Sequence, residues 1–333
     1  MKKRNNAFDL LCGLCILRMV MLHVMCMTHM EKTSWWREVM FWTFFFMSFF
    51  FFKAGYFNKG VTGKTLPYLK DRVLRLFVPY VSWGIISAVL AFFWFCFRPY
   101  SPEKAIGMLT EFRWYVGGLT FGNAPLWFLL SFFTTYVVMH FIERVPYLHW
   151  IVLVFPAIGY WLFLHDNPLW FYLSNVFCGT FFFYLGKVWH FVLERITKHF
   201  ALFISILFCI GFVFANIYLH GEYKMKPNVW VAAPWKSMLI VFLSLCGFSG
   251  VLLSWRTPRI PFINYVGEHS MVYFVMHYPV LLSYAHICGL FGHGNMRNYL
   301  DISIMMILAF GVCTYAVPHM ERVPWLSGRW NTK

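Results

Sequence analysis

The chain has 333 residues, 60% of them hydrophobic and only 12% charged, about half the charged share of an ordinary soluble domain. So few charges cannot cover a globular surface, which excludes a water-soluble fold and makes lipid the main solvent. The net charge of +15 does not indicate a nucleic-acid partner, because the basic residues lie between apolar runs and form no continuous stripe or arm.

About ten runs are apolar and long enough to span a bilayer. In chain order they are roughly 8–28, 39–57, 74–97, 125–143, 149–165, 169–188, 200–219, 236–254, 264–286 and 301–319. The runs are too long for strands and show no period-2 alternation, so the expected fold is all-α and polytopic. No internal repeat stands out. The longest gap, about 98–124, is only a loop, so no appended soluble domain is expected and 1–333 is read as a single transmembrane domain.

The first run opens on "MKKRNN", which has the charge of a signal-peptide start. The apolar stretch that follows lasts about 20 residues and ends in no small-x-small cleavage site, so it is read as a retained span. It holds Asp9, Arg18, His23 and the pair Cys12 and Cys15. The nine cysteines lie almost entirely inside apolar runs, where thiols behave as small hydrophobes. Their spacing gives neither a disulfide framework nor a zinc site, and no metal is expected.

Lys and Arg set the orientation. With the N-terminus inside, the inner segments hold roughly twice as many basic residues as the outer ones, including Lys2, Lys3, Arg4, Arg144, Arg256 and Arg259. Both termini are therefore expected on the cytoplasmic side of the cell (plasma) membrane, and an even number of spans makes the same demand.

A charge within a span costs about 2.5–3.5 kcal/mol at the helix centre, so each such residue needs a reason. At 100° per residue, Asp9 lies about 40° and Cys12 about 20° from His23 around the helix, while Arg18 points about 140° from it. His23 has two readings from this placement: a general base for a hydroxyl near neutral pH, or an interhelical hydrogen bond. In "YLKDRVLRLFVPY", Lys70, Arg72 and Arg75 stand at the entry to the third span. Arg72 and Arg75 are three apart and share a helix face. Paired guanidinium groups can hold phosphates bidentately, or they can contact lipid headgroups. Lys53, which ends the second span on the same side, can snorkel or join them. "GEHSMVYFVMHYP" adds Glu268, His269 and His277, with His277 near mid-span before Pro279. It either lines a polar cavity or bonds a neighbouring helix.

Taken together, these stretches resemble membrane acyltransferase family 3. The opening pattern of that family is matched by Arg4, Asp9, Gly13 and His23. "FFFMSFFFFKAGYF" is similar to its Phe-rich second span, which ends here in Ala54, Gly55 and Tyr56. "RVLRLFVPY" resembles its basic motif before a proline, and "APLWFLLSFF" its Leu-Trp-Phe-Leu element, Leu126 to Leu129 with Trp127. Gly267, Ser270, Tyr273 and His277 resemble a further element. The resemblance runs through nearly the whole chain in order. It implies transfer of an acyl group, usually acetyl, from cytoplasmic acyl-CoA to a sugar hydroxyl or similar acceptor, read here as a hydroxyl of a cell-surface glycan or its lipid-linked precursor. It further implies His23 as the catalytic residue, with Lys53, Lys70, Arg72 and Arg75 as candidates for the CoA phosphates. Asp9, Arg18, Glu268, His277 and Trp127 are then supporting residues, the partners are acyl-CoA, the saccharide acceptor and membrane lipid, and no cofactor is bound. One position departs from the family pattern. Where the family commonly has Arg or Lys, eleven residues before the His, this chain has Cys12, so that Lys53 or Arg72 must cover the role or the donor is handled differently. Two other readings stay open: transfer of succinyl, whose carboxylate Arg18 would meet, and a glycan or lipid transporter, which commonly shows the inverted repeats not found here.

Overall fold

The computed structural model describes residues 5–58, 60, 63–96, 122–167, 169, 173–226, 228–255, 257–293 and 296–330. Arg4, Arg256 and most of the 98–124 gap lie outside them. The chain is an all-α polytopic membrane protein. Among the described residues nine helical segments are long and apolar enough to cross a membrane, and the only strands are a two-residue antiparallel pair, Tyr223–Lys224 with Val229–Trp230.

The helices are α1 Asn6–Met27, α2 Ser34–Thr43, α3 Phe46–Tyr56, α4 Thr65–Arg72, α5 Val78–Cys96, α6 Trp127–Ile142, α7 Phe155–Leu164, α8 Ser174–Leu193, α9 Lys198–Leu219, α10 Pro234–Ser254, α11 Pro261–Glu268, α12 Ser270–Leu290, α13 Tyr299–Met320 and α14 Pro324–Ser327. A π-helical turn, Val73–Phe77, joins α4 to α5.

Several boundaries differ from the sequence reading. The runs read as 39–57 and 74–97 belong to segments that begin earlier, at Ser34 and Thr65. The run read as 169–188 forms a helix over 174–193. Lys187 would end an apolar run, yet the helix continues because its ammonium is 2.6 Å from the Glu143 carboxylate. The run read as 264–286 is two helices, α11 and α12, that part at His269, whose Nδ1 is engaged by Glu321. The run read as 149–165 is a 3-10 stretch, Leu148–Leu153, followed by α7. It is shorter than the nine long segments. Six residues at about 2.0 Å and ten at about 1.5 Å give it a length of about 27 Å, close to the bilayer core of about 30 Å.

The residues fall into two compact units. One holds residues up to Cys15, Glu38–Gly63 and Thr134–Glu268; the other holds Ile16–Arg37, Lys64–Phe133 and from His269 onward. In the first unit α3 lies along α8, and α9 pairs with α10 through the short hairpin. α11 approaches the first half of α1 very closely: a Cβ at Gly13 would stand 2.0 Å from the Ile263 carbonyl oxygen, and one at Gly267 only 1.8 Å from that of Asp9. Any side chain at either position would force the helices apart. In the second unit α12 pairs with α13, and α5 packs on both α12 and α14.

Candidate functional site

The second unit holds His23 and His277. Pro279 sits inside α12 and has no N–H to give to the carbonyl four residues back, that of Val275. The Asn123 side chain takes over that bond, with Nδ2 donating to the Val275 oxygen at 2.9 Å and to Ser87 Oγ at 3.1 Å. Asn123 is fully buried and so ties α5, the entry to α6 and the proline break of α12 to one another. His277 lies between Val275 and Pro279. It is fully buried, and its Nδ1 is 2.9 Å from the Tyr273 carbonyl oxygen. The His23 ring of α1 lies 5.2 Å from the His277 ring, centroid to centroid, and meets the Tyr278 ring edge-on at 5.2 Å. His23 and His277, 254 positions apart in sequence, are thus ring neighbours.

The basic element belongs to the same unit. Lys70 is exposed on α4. Arg72 lies over the Tyr68 ring at 5.0 Å, and its Nε is 3.9 Å from Asp71. Arg75, within the π-helical turn, donates from Nε to Asp71 Oδ1 at 2.6 Å. The expectation of two guanidinium groups side by side on one α-helical face is therefore modified: the turn is π-helical and a carboxylate stands between them. π-Helical turns recur at functional sites. The C-terminal segment braces this one, because the Trp330 indole donates to the Leu74 oxygen at 2.8 Å and the Trp83 indole to the Leu326 oxygen at 3.1 Å. The segment is itself held by the Glu321 carboxylate, which bonds both His269 and Arg329.

In the first unit, Asp9 and Glu268 line a cavity of about 360 Å³ together with Asn6, Asn264 and Arg259. The close approach at Gly13 and Gly267 is what lets these two carboxylates share one space. On the same half of α1, Lys53 Nζ reaches from α3 and donates to the buried Cys12 Sγ at 3.0 Å. A cation thus arrives, from another helix, at the position where the resemblance led one to expect a basic residue on α1.

Arg18 and Trp127 are placed in the second unit. Arg18 is 8% exposed, with its guanidinium over the Trp36 ring at 5.8 Å. Trp127 is buried at the first turn of α6 and meets Phe128 edge-on at 6.0 Å. His23, His277, Lys70, Arg72, Arg75, Arg18 and Trp127 therefore fall in one unit, while Asp9, Lys53 and Glu268 fall in the other. Among the described residues no group of three or more His, Cys, Asp or Glu could hold a metal ion.

Sequence reasoning passed over three contributors: Asn123, Asp71 and Tyr278. A signal existed for each. Asn123 is a polar residue directly before the apolar "APLWFLL", Asp71 is an acid between Lys70 and Arg72 and four positions before Arg75, and Tyr278 stands between His277 and Pro279. The comparisons with known proteins agree with the resemblance. A family model described as an acyltransferase domain, acyltransferase 3, matches residues 5–318. No curated protein and no solved structure matches the chain.

Proposed function

From the premise that the chain belongs to the acyltransferase 3 family, whose model covers nearly all of it, we propose that this membrane acyltransferase moves an acetyl group from cytoplasmic acetyl-CoA to a hydroxyl of a cell-surface glycan or its lipid-linked precursor. The observation that carries this reading is the placement of His23 against His277 and Tyr278 within an apolar span. Titratable rings are costly there, and they persist where they do work.

In the proposed reaction the neutral His23 ring takes the proton of the acceptor hydroxyl. The oxygen then attacks the thioester carbonyl. The tetrahedral adduct collapses, the C–S bond breaks, and CoA leaves as a thiolate that recovers the proton from His23. The products are the acetyl ester and CoA thiol. Arg72 and Arg75, with Lys70, hold the phosphates of CoA, since a guanidinium fork matches phosphate geometry. Lys53 is the first unit's candidate for a CoA phosphate, and it supplies the cation that α1 lacks at Cys12. Acetyl is preferred over succinyl because Arg18, the cation a succinyl carboxylate would want, is buried against Trp36.

The test is direct. The purified chain in lipid nanodiscs is given radiolabelled acetyl-CoA together with a lipid-linked saccharide fraction, and both CoA release and labelled alkali-labile ester are measured. Release of CoA matched by ester in the saccharide fraction is expected. A transporter would give neither, and that result would sink the proposal.

A further inference from the structure

The reading of His23 as the base leaves His277 without a task, and its surroundings supply one. The Tyr273 carbonyl can only accept a hydrogen bond, so His277 Nδ1 carries the proton of the neutral ring and the lone pair is fixed on Nε2. That nitrogen is buried and has no hydrogen-bond partner among the described residues. Buried polar atoms are satisfied in the great majority of cases, and an exception calls for an explanation. Packing does not supply one, because a leucine or methionine would fill the same space without stranding a lone pair.

The neighbour is the His23 ring, at 5.2 Å between centroids and tilted by 37°. Ring nitrogens lie about 1.1–1.2 Å from the centroid, so two facing nitrogens at this centroid distance stand about 3 Å apart, which is hydrogen-bond distance. We propose that His277 is a positioning residue for the acyl transfer, its Nε2 accepting an N–H of His23 once His23 has taken the acceptor's proton. The inference rests on the proposed role of His23. At rest His277 Nε2 has no partner among the described residues; the charge that His23 gains makes its N–H a stronger donor, and the bond forms then. An interaction made only on the way to the transition state raises kcat rather than affinity. No proton passes to His277: the proton that His23 gains goes on to the CoA thiolate. Asn123 keeps the arrangement in place by holding the Val275 carbonyl, two residues from His277.

The test compares three substitutions in the purified full chain, with acetyl-CoA as donor and a lipid-linked saccharide fraction as acceptor. His277→Leu and His277→Met remove the acceptor atom and keep apolar bulk; either suffices if the other fails to fold. His277→Gln offers an amide oxygen near the place of Nε2. Loss of a hydrogen bond to a charged group predicts a fall in kcat of roughly ten- to 150-fold for Leu or Met, with KM for acetyl-CoA held, and most of that loss recovered by Gln. Full activity in a folded Leu or Met variant would show His277 to be packing. A Gln variant as inactive as Leu would make His277 itself a proton carrier, and would overturn the proposal equally. Failure of the wild-type chain to transfer at all would remove the acyl-transfer reading, and this one with it.

Discussion

Asp71 and Arg75 make opposite predictions for neighbouring residues. Their ion pair is 2.6 Å long, but the side chains are 41% and 28% exposed for Arg75 and Asp71. Solvent screening therefore leaves it worth only about 0.3–0.5 kcal/mol to the fold, the range of an i,i+4 pair. If the basic element holds CoA phosphates, Asp71 opposes the ligand while Arg75 attracts it. With a phosphate about 7 Å away and an effective dielectric constant of about 40–80, the Asp71 charge costs about 0.6–1.2 kcal/mol. Asp71→Asn should then tighten CoA binding about three- to eightfold. Arg75→Ala should weaken it roughly ten- to 150-fold, the worth of a charge-assisted contact. Isothermal titration of CoA into monodisperse protein reads both without the complications of KM. Weaker binding in both variants would mean that Asp71 serves to aim Arg75. No change in either would leave lipid headgroups as the partner of these residues and place the phosphate site elsewhere.

His23→Ala and His23→Gln should each lower acyl transfer by about 10²–10⁴-fold in protein that remains folded, because Gln can hydrogen-bond but cannot take a proton near neutral pH; a Gln variant that keeps most of its activity would reduce His23 to helix packing. Asn123→Ala leaves the Val275 carbonyl without its donor, at a cost of about 1–3 kcal/mol, and the melting temperature of the detergent-solubilised protein should fall accordingly; an unchanged melting temperature would show that the proline break needs no clamp. For topology, the short segment Leu148–Leu164 decides parity, since ten crossings put both termini on one side and nine do not. Single cysteines at Tyr147 and Asp166, in a chain stripped of its own thiols, should be labelled from opposite sides of the membrane, as should Lys64 and His293. Labelling of Tyr147 and Asp166 from the same side would remove the crossing.

The helical, membrane-embedded character of the chain was legible from composition and run length, because a bilayer imposes one simple demand on every span. Helix ends were less legible wherever a charge found a partner. Lys187 looks like the end of a span until Glu143, 44 residues away, is seen to neutralise it. His269 looks like mid-helix until Glu321 engages it. The candidate site residues stood out as residue types in costly places: His23 and His277 drew notice because a titratable ring in an apolar run needs a reason. Their pairing was not legible, since nothing in the spacing of α1 and α12 states which faces meet. Asn123 shows the same limit from the other side. It is an ordinary loop residue in sequence, and its importance appears only when the carbonyl freed by Pro279 is found 2.9 Å from it.

The departure at Cys12 shows why position in space matters more than position in sequence. A motif scan sees a thiol where a cation is expected and counts a loss. The fold brings Lys53 to 3.0 Å from that thiol, 41 residues further along the chain. A lysine stem is long enough to carry its charge well beyond its own helix face. The Coulomb field that an anionic ligand meets depends on where the ammonium ends, whichever backbone it hangs from. Loss of the basic residue on α1 therefore need not mean loss of the charge it would have supplied, provided that α3 keeps Lys53 within reach of the same turn.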